Sequence, residues 1–191
     1  MMNKVECRAD APLDWKSLEQ HWPRPDRDWQ QWLCEPGSLT RKLQRLSGGD
    51  FSVQVVGEGW CRPDAIALRP NFSNSLLRQQ MWSRQVLLLG RGTPWVAAHT
   101  LIPRSSLRGS LRSLKDINNK PLGAFLFRQR QLRRERFEVA RSEDGCWGRR
   151  SLFFVGRRPV LVSEFFLPSM IEYARQHASG AGMMPPGRSD R

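Results

Sequence analysis

The sequence predicts an α+β domain built on a largely antiparallel sheet of about six strands. Three observations carry that prediction. Apolar residues recur at helical spacing before residue 50 and alternate after it. The later alternating segments are joined by turns too short for a parallel crossover. A helical stretch separates an early group of strands from a late one, the element order of an α+β fold.

Taken in order, residues 1 to 25 are rich in Pro and Trp and read as an irregular segment that wraps the surface. DRDWQQWLCE (26–35) places Trp29, Trp32 and Leu33 at i, i+3 and i+4, one face of a short helix. PGSLTRKLQRLSGGD offers Ser38 as N-cap, Leu39, Leu43 and Leu46 along a stripe, and Gly48-Gly49 as the stop. The period then shortens to two in FSVQVVGEGW (51–60), where Val53 and Val55 alternate with Gln54. MWSRQVLLLGRGTPWVAAHTLIP (81–103) reads as two strands joined through GRGTP. RSSLRGSLRSLKDI and PLGAFLF suggest short helices, and strands follow near 132–141, 147–155 and 159–167, turning at SEDG and GRRP. Beyond Pro168 the apolar pattern fades, so 26–174 is expected to form the domain and 175–191 a frayed tail.

Composition bounds the function. With 39% apolar residues the chain can bury a core, and it has no apolar run near the roughly 20 residues that cross a bilayer. Acidic residues stand where a secretory signal would place its apolar core in MMNKVECRADAPLDW, so a cytoplasmic location is expected. Cys7, Cys34, Cys61 and Cys146 form no CxxC pair and His21, His99 and His177 are dispersed, which argues against a metal site. The net charge of +13 suits nucleic acid, small anions or an arginine-rich proteome. Its densest cluster is RQRQLRRERF (128–137), unaccompanied by a recognition-helix or finger pattern.

Two polar residues interrupt apolar faces. In PVLVSEFFLP (159–168), Glu164 shares a face with Val160, Val162 and Phe166, while Leu161, Phe165 and Leu167 occupy the other. In MWSRQVLLL, Arg84 shares a face with Trp82, Val86 and Leu88. A buried carboxylate needs a donor or cation, and a guanidinium offers the fork that best holds a carboxylate. Either Arg84 and Glu164 form a salt bridge with each other, or they face opposite ends of one small ligand. PLGAFLF (121–127) reads as a helix start that packs on the sheet or lends a backbone N–H to an anion.

Together these segments resemble the chorismate pyruvate-lyase family of bacterial ubiquinone biosynthesis. The resemblance runs through QWLCEPGSLTRKL, MWSRQVLLLGRGTPWVAAHTLIP, NNKPLGAFLF and GCWGRRSLFFVGRRPVLVSEFFLP, nearly the whole core. It implies a six-stranded antiparallel sheet with helices on one side and two helical flaps over an internal cavity. It implies conversion of chorismate to 4-hydroxybenzoate and pyruvate by a cytoplasmic monomer that needs neither metal nor organic cofactor. By resemblance Arg84 binds the ring carboxylate, Glu164 the ring hydroxyl, and the backbones of Leu122 and Leu39 add contacts; Leu39 stands where better-known members carry methionine. One of Arg149, Arg150 or another basic residue is expected to meet the second carboxylate of the substrate. Relatives of the fold also include sensing domains that bind ligands without catalysis, so a sensor or carrier of an aromatic acid is the alternative reading, and RNA binding built around residues 128–137, with Arg133 and Arg134 at its centre, is a third.

Overall fold

A computed structural model describes residues 12–135 and 137–178. Seven antiparallel strands form one sheet: β1 (Phe51–Cys61), β2 (Met81–Gly90), β3 (Thr93–Pro103), β4 (Leu132–Arg134), β5 (Glu138–Arg141), β6 (Trp147–Val155) and β7 (Arg158–Phe166). Their order is β1-β2-β3-β7-β6-β4, with β5 also paired to β6. The helices are α1 (Arg27–Leu33), α2 (Leu39–Leu46), α3 (Ala65–Leu68), α4 (Asn74–Leu77), α5 (Leu122–Leu126) and α6 (Pro168–Ala178). Two 3-10 helices, Arg104–Ser106 and Gly109–Asp116, occupy the expected crossover.

The early helices follow their caps. Asp26 accepts from the Trp29 N–H and Ser38 from the Arg41 N–H, and Gly48 and Gly49 adopt the positive φ that ends α2. The β2–β3 turn consists of Arg91 and Gly92, both at positive φ, the two-residue form that matches strand twist. Gly90 just before it has no room for a side chain, because a Cβ there would fall 2.2 Å from the Trp95 ring. Gly90→Ala is expected to cost about 1–3 kcal/mol through overpacking, read as a lower urea midpoint with unchanged m-value.

Two irregularities decide which side chains face which way. Between Val55 and Gly57 strand β1 carries an extra residue, Val56, so that Val55 pairs with Val86 while Gly57 pairs with Gln85. The second lies in the expected strand 132–141, which is broken into β4 and β5. Arg134 pairs with Phe153 and Glu138 with Arg150, so this edge spends one residue more than β6 over the same interval. Each bulge inverts the alternation beyond it.

The sheet is covered on both faces, which modifies the one-sided layering expected from the resemblance. Trp32, Leu33, Leu39 and Leu43 of α1 and α2 pack with Val53, Leu88 and Phe166 on one face, joined by Met170 and Ile171 of α6. On the reverse face Leu68 and Phe72, from α3 and the turn after it, pack with Leu101, Leu152 and Leu161. The expected tail begins inside α6, whose Met170, Ile171 and Ala174 are buried; residues 179–191 lie outside the described residues. Upstream, Lys16 pairs with Val139 and covers the edge of β5, while Cys7 lies outside the described residues.

Candidate active site

Cross-strand register brings the polar residues of one sheet face into two rows. The first runs Glu58, Arg84, Thr100, Val162, Ser151 across β1, β2, β3, β7 and β6; the second runs Val86, Ala98, Glu164, Arg149. Directly paired residues of an antiparallel sheet project from the same face, so these side chains share one surface. That surface floors a pocket lined by Arg84, Val86, Ala98, Thr100, Val162 and Glu164. Its other walls are Gly37, Leu39 and Thr40 at the start of α2, and Pro121, Leu122, Gly123 and Leu126 around α5. The two helices close over it tightly, since a Cβ on Gly123 would lie 2.9 Å from Thr40 Oγ1.

All four residues singled out in the sequence, Leu39, Arg84, Leu122 and Glu164, line this pocket. Arg84 and Glu164 do not pair with each other. Arg84, 3% exposed, pairs through Nη1 with Glu58 and donates through Nη2 to the carbonyls of Asn118 and Lys120. Glu164 accepts from Arg149 Nε at 2.7 Å. Each charge is thus neutralised by a partner on an adjacent strand, and the floor between them is made of the small residues Ala98 and Thr100 with Val162. A pocket with a cation at one end and a carboxylate at the other suits a small acid that also carries a hydrogen-bond donor.

Arg149, 2% exposed, does more than pair with Glu164. Its Nη1 donates to the carbonyls of Trp32, Leu33 and Glu35, satisfying the C-terminal end of α1. Arg150 points to the reverse face, where it binds Glu138 at 2.7 Å and stands over the Trp15 ring. Of the two arginines offered by the sequence for a second carboxylate, only Arg149 therefore reaches the pocket. Arg134 also lines it, donating to Ser151 Oγ and to the carbonyls of Glu35 and Pro36. Burial, followed by the nearby Arg149 charge, pushes the Arg134 guanidinium down to about 10 against the opposing pull of Glu164 and Glu35.

Sequence reasoning missed Glu58 as the partner of Arg84 and Arg134 as a wall residue. Plain alternation puts Glu58 on the face of Gln54, and only the bulge at Val56 turns it toward Arg84. The available signal was the pair Gly57 and Gly59 inside a strand, which marks bulges and bends. Burial raises the Cys34 and Cys146 thiols above their ordinary range, which disfavours either as a nucleophile. No group of three metal-ligating side chains occurs among the described residues, and no described helix is long and apolar enough to cross a membrane.

The chain is 36% identical over 160 residues to the probable chorismate pyruvate-lyase of Methylococcus capsulatus, covering 74% of this chain and 96% of that one. It is 36% identical to probable chorismate pyruvate-lyase 2 of Pseudomonas fluorescens, over 87% of this chain and 95% of the relative. Against the chorismate pyruvate-lyase of Serratia proteamaculans it is 36% identical over 85% and 90% of the two chains. Among solved structures, a GntR-family transcriptional regulator from Bacillus cereus overlaps with a TM-score of 0.45 and 12% identity, over 63% of this chain and 93% of that one, too little to argue from. The sequence model for chorismate lyase matches residues 15–177, nearly all of the described chain. With that match and these identities, the chain belongs to the chorismate lyase family.

Proposed function

We infer that this protein is a chorismate pyruvate-lyase: it converts chorismate to 4-hydroxybenzoate and pyruvate in the pocket between the sheet and helices α2 and α5. The carrying observation is that Arg84 and Glu164 line one pocket while each is held by a different partner, Glu58 and Arg149. Arg84 anchors the ring carboxylate, with the backbone of Leu122 beside it. Glu164 accepts the hydrogen bond of the ring hydroxyl, and the backbone of Leu39 adds a further contact to the ligand.

The chemistry asks little of the side chains. The bond between the ring carbon and the ether oxygen breaks, and the neighbouring carbon, which bears the hydroxyl, loses its hydrogen. The ring becomes aromatic, and the enolpyruvyl fragment leaves as pyruvate once its methylene has received a proton. Two geometries satisfy this balance: direct passage of the hydrogen to the methylene, or stepwise elimination. In both, the pocket supplies positioning and preorganised charge, and the aromaticity gained drives the step. Arg84 and Glu164 fix the ring axis, so the ether is held against the apolar wall. No metal or organic cofactor enters the balance.

The reading extends to a cytoplasmic monomer at the first committed step of ubiquinone biosynthesis. It is tested by mixing purified, metal-free protein with chorismate and following the absorbance of 4-hydroxybenzoate. Turnover is expected, and Glu164→Gln, which keeps the shape but removes the charge facing the hydroxyl, is expected to lower kcat about a hundredfold. Folded protein that binds 4-hydroxybenzoate and leaves chorismate unchanged would replace the lyase with a sensor or carrier of aromatic acids.

A further inference from the structure

The pocket contains more positive charge than one benzoate carboxylate needs. Arg84 is matched by Glu58 and Arg149 by Glu164. Arg134 has no carboxylate within salt-bridge distance among the described residues. Its polar acceptors there are the Ser151 hydroxyl and the carbonyls of Glu35 and Pro36, and its guanidinium lies over the rings of Phe153 and Phe137 at 5.2 and 5.3 Å. A half-buried guanidinium whose direct contacts are neutral acceptors and ring faces, with Glu164 and Glu35 acting on it only at longer range, bears a desolvation cost that a bound anion would relieve.

Its placement is specific. The extra residue between β4 and β5 lets Arg134 face the pocket while Glu138 faces the reverse side to hold Arg150. With unbroken alternation the two would share a face, and Glu138 would be available to neutralise Arg134. Arg134 reaches back over β6 to Ser151, the far end of the row that contains Arg84. Three strand spacings separate Arg84 from Ser151, about 14 Å at the backbone. Arg149 is less available, because its Nε is given to Glu164 and its Nη1 to three carbonyls of the α1 terminus. Lys120, the other cation of the wall, is exposed.

We propose that Arg134 binds the enolpyruvyl carboxylate of the substrate, so that two arginines, Arg84 and Arg134, hold the two carboxylates of a dianion across the floor of the pocket. This rests on the lyase reading of the site. It also separates substrate from product: 4-hydroxybenzoate has lost the second carboxylate and leaves Arg134 unmatched again, so Arg134 strengthens substrate binding without strengthening retention of the aromatic product. Two of its donors converge on one hydroxyl oxygen, Ser151 Oγ, an arrangement that an arriving carboxylate can replace with a bidentate pair.

The test compares ligands with one and two carboxylates. Affinities of 4-hydroxybenzoate and of 3-(carboxymethoxy)-4-hydroxybenzoate, a stable dianion with its second carboxylate on the same ether, are measured by calorimetry alongside chorismate kinetics. The wild type is expected to prefer the dianion. Arg134→Gln is expected to erase that preference and to lower kcat/KM for chorismate about 10- to 150-fold, while 4-hydroxybenzoate affinity stays within about twofold. Unchanged kcat/KM and dianion preference in Arg134→Gln, or an equal loss of affinity for both ligands, would overturn the assignment. If Arg134→Gln fails to fold, Arg134→Lys, which keeps the charge without the fork, should retain part of the preference; loss of both ligands in that folded variant counts against the proposal. Wild-type protein that shows the dianion preference but no turnover contradicts the lyase reading and leaves the role of Arg134 standing.

Discussion

Arg84→Ala is expected to lower kcat/KM for chorismate about a thousandfold. Arg84 is 3% exposed and already oriented by Glu58 and by two carbonyls, so its remaining donors meet a ring carboxylate without reorganisation. A charge-assisted hydrogen bond contributes about 1.5–3 kcal/mol, and two of them account for an effect of that size. Arg84→Lys should recover only a fraction, because an ammonium lacks the planar fork. Glu58→Ala should cost less than Arg84→Ala, since the carbonyls of Asn118 and Lys120 still hold the guanidinium. Steady-state kinetics following 4-hydroxybenzoate decides the matter: an Arg84→Ala enzyme within tenfold of wild type would remove Arg84 as the anchor.

The second large effect falls on stability. Arg149→Leu leaves Glu164 without its cation and the carbonyls of Trp32, Leu33 and Glu35 without their donor, all in or beside the core. Breaking such a pair from one side costs about 3–5 kcal/mol, which lowers a urea midpoint by about 2 M for a protein of this size. The double variant Arg149→Leu, Glu164→Leu should be less destabilised than the sum of the two single variants, because no unpaired charge remains. Additive losses would mean that the two side chains contribute separately. Since Glu164 also faces the pocket, Arg149→Leu is expected to lose activity even where it remains folded.

Much of the fold is legible residue by residue. The caps Asp26 and Ser38, the Leu39, Leu43, Leu46 stripe and the Gly48-Gly49 stop depend on neighbours within a turn of helix, so spacing alone exposes them. The β2–β3 and β6–β7 hairpins are equally local: Arg91-Gly92 and Gly156-Arg157 make their turns with glycines at positive φ. Helix α6 was harder. Its Met170, Ile171 and Ala174 pack against β3 and α1, a nonlocal contact, and only its last turn, 175–178, falls in the stretch whose fading apolar pattern reads as a tail.

The candidate site divides in the same way. Arg84 and Glu164 stand out because each interrupts an apolar face, and alternation places both on the correct face with no knowledge of the fold. Their partners do not stand out. Glu58 and Arg134 each lie next to a bulge, and one inserted residue inverts the face of everything beyond it, so strict alternation assigns Glu58 to solvent and leaves Arg134 as one more member of a basic run. From the sequence alone came the α+β class, the antiparallel sheet, the early helices and the two ends of the pocket. Which counterion holds each end, and that the two charges stay apart, was decided by strand register, a property set when Glu58 and Arg84, 26 positions apart, and Arg149 and Glu164, 15 positions apart, meet across the sheet.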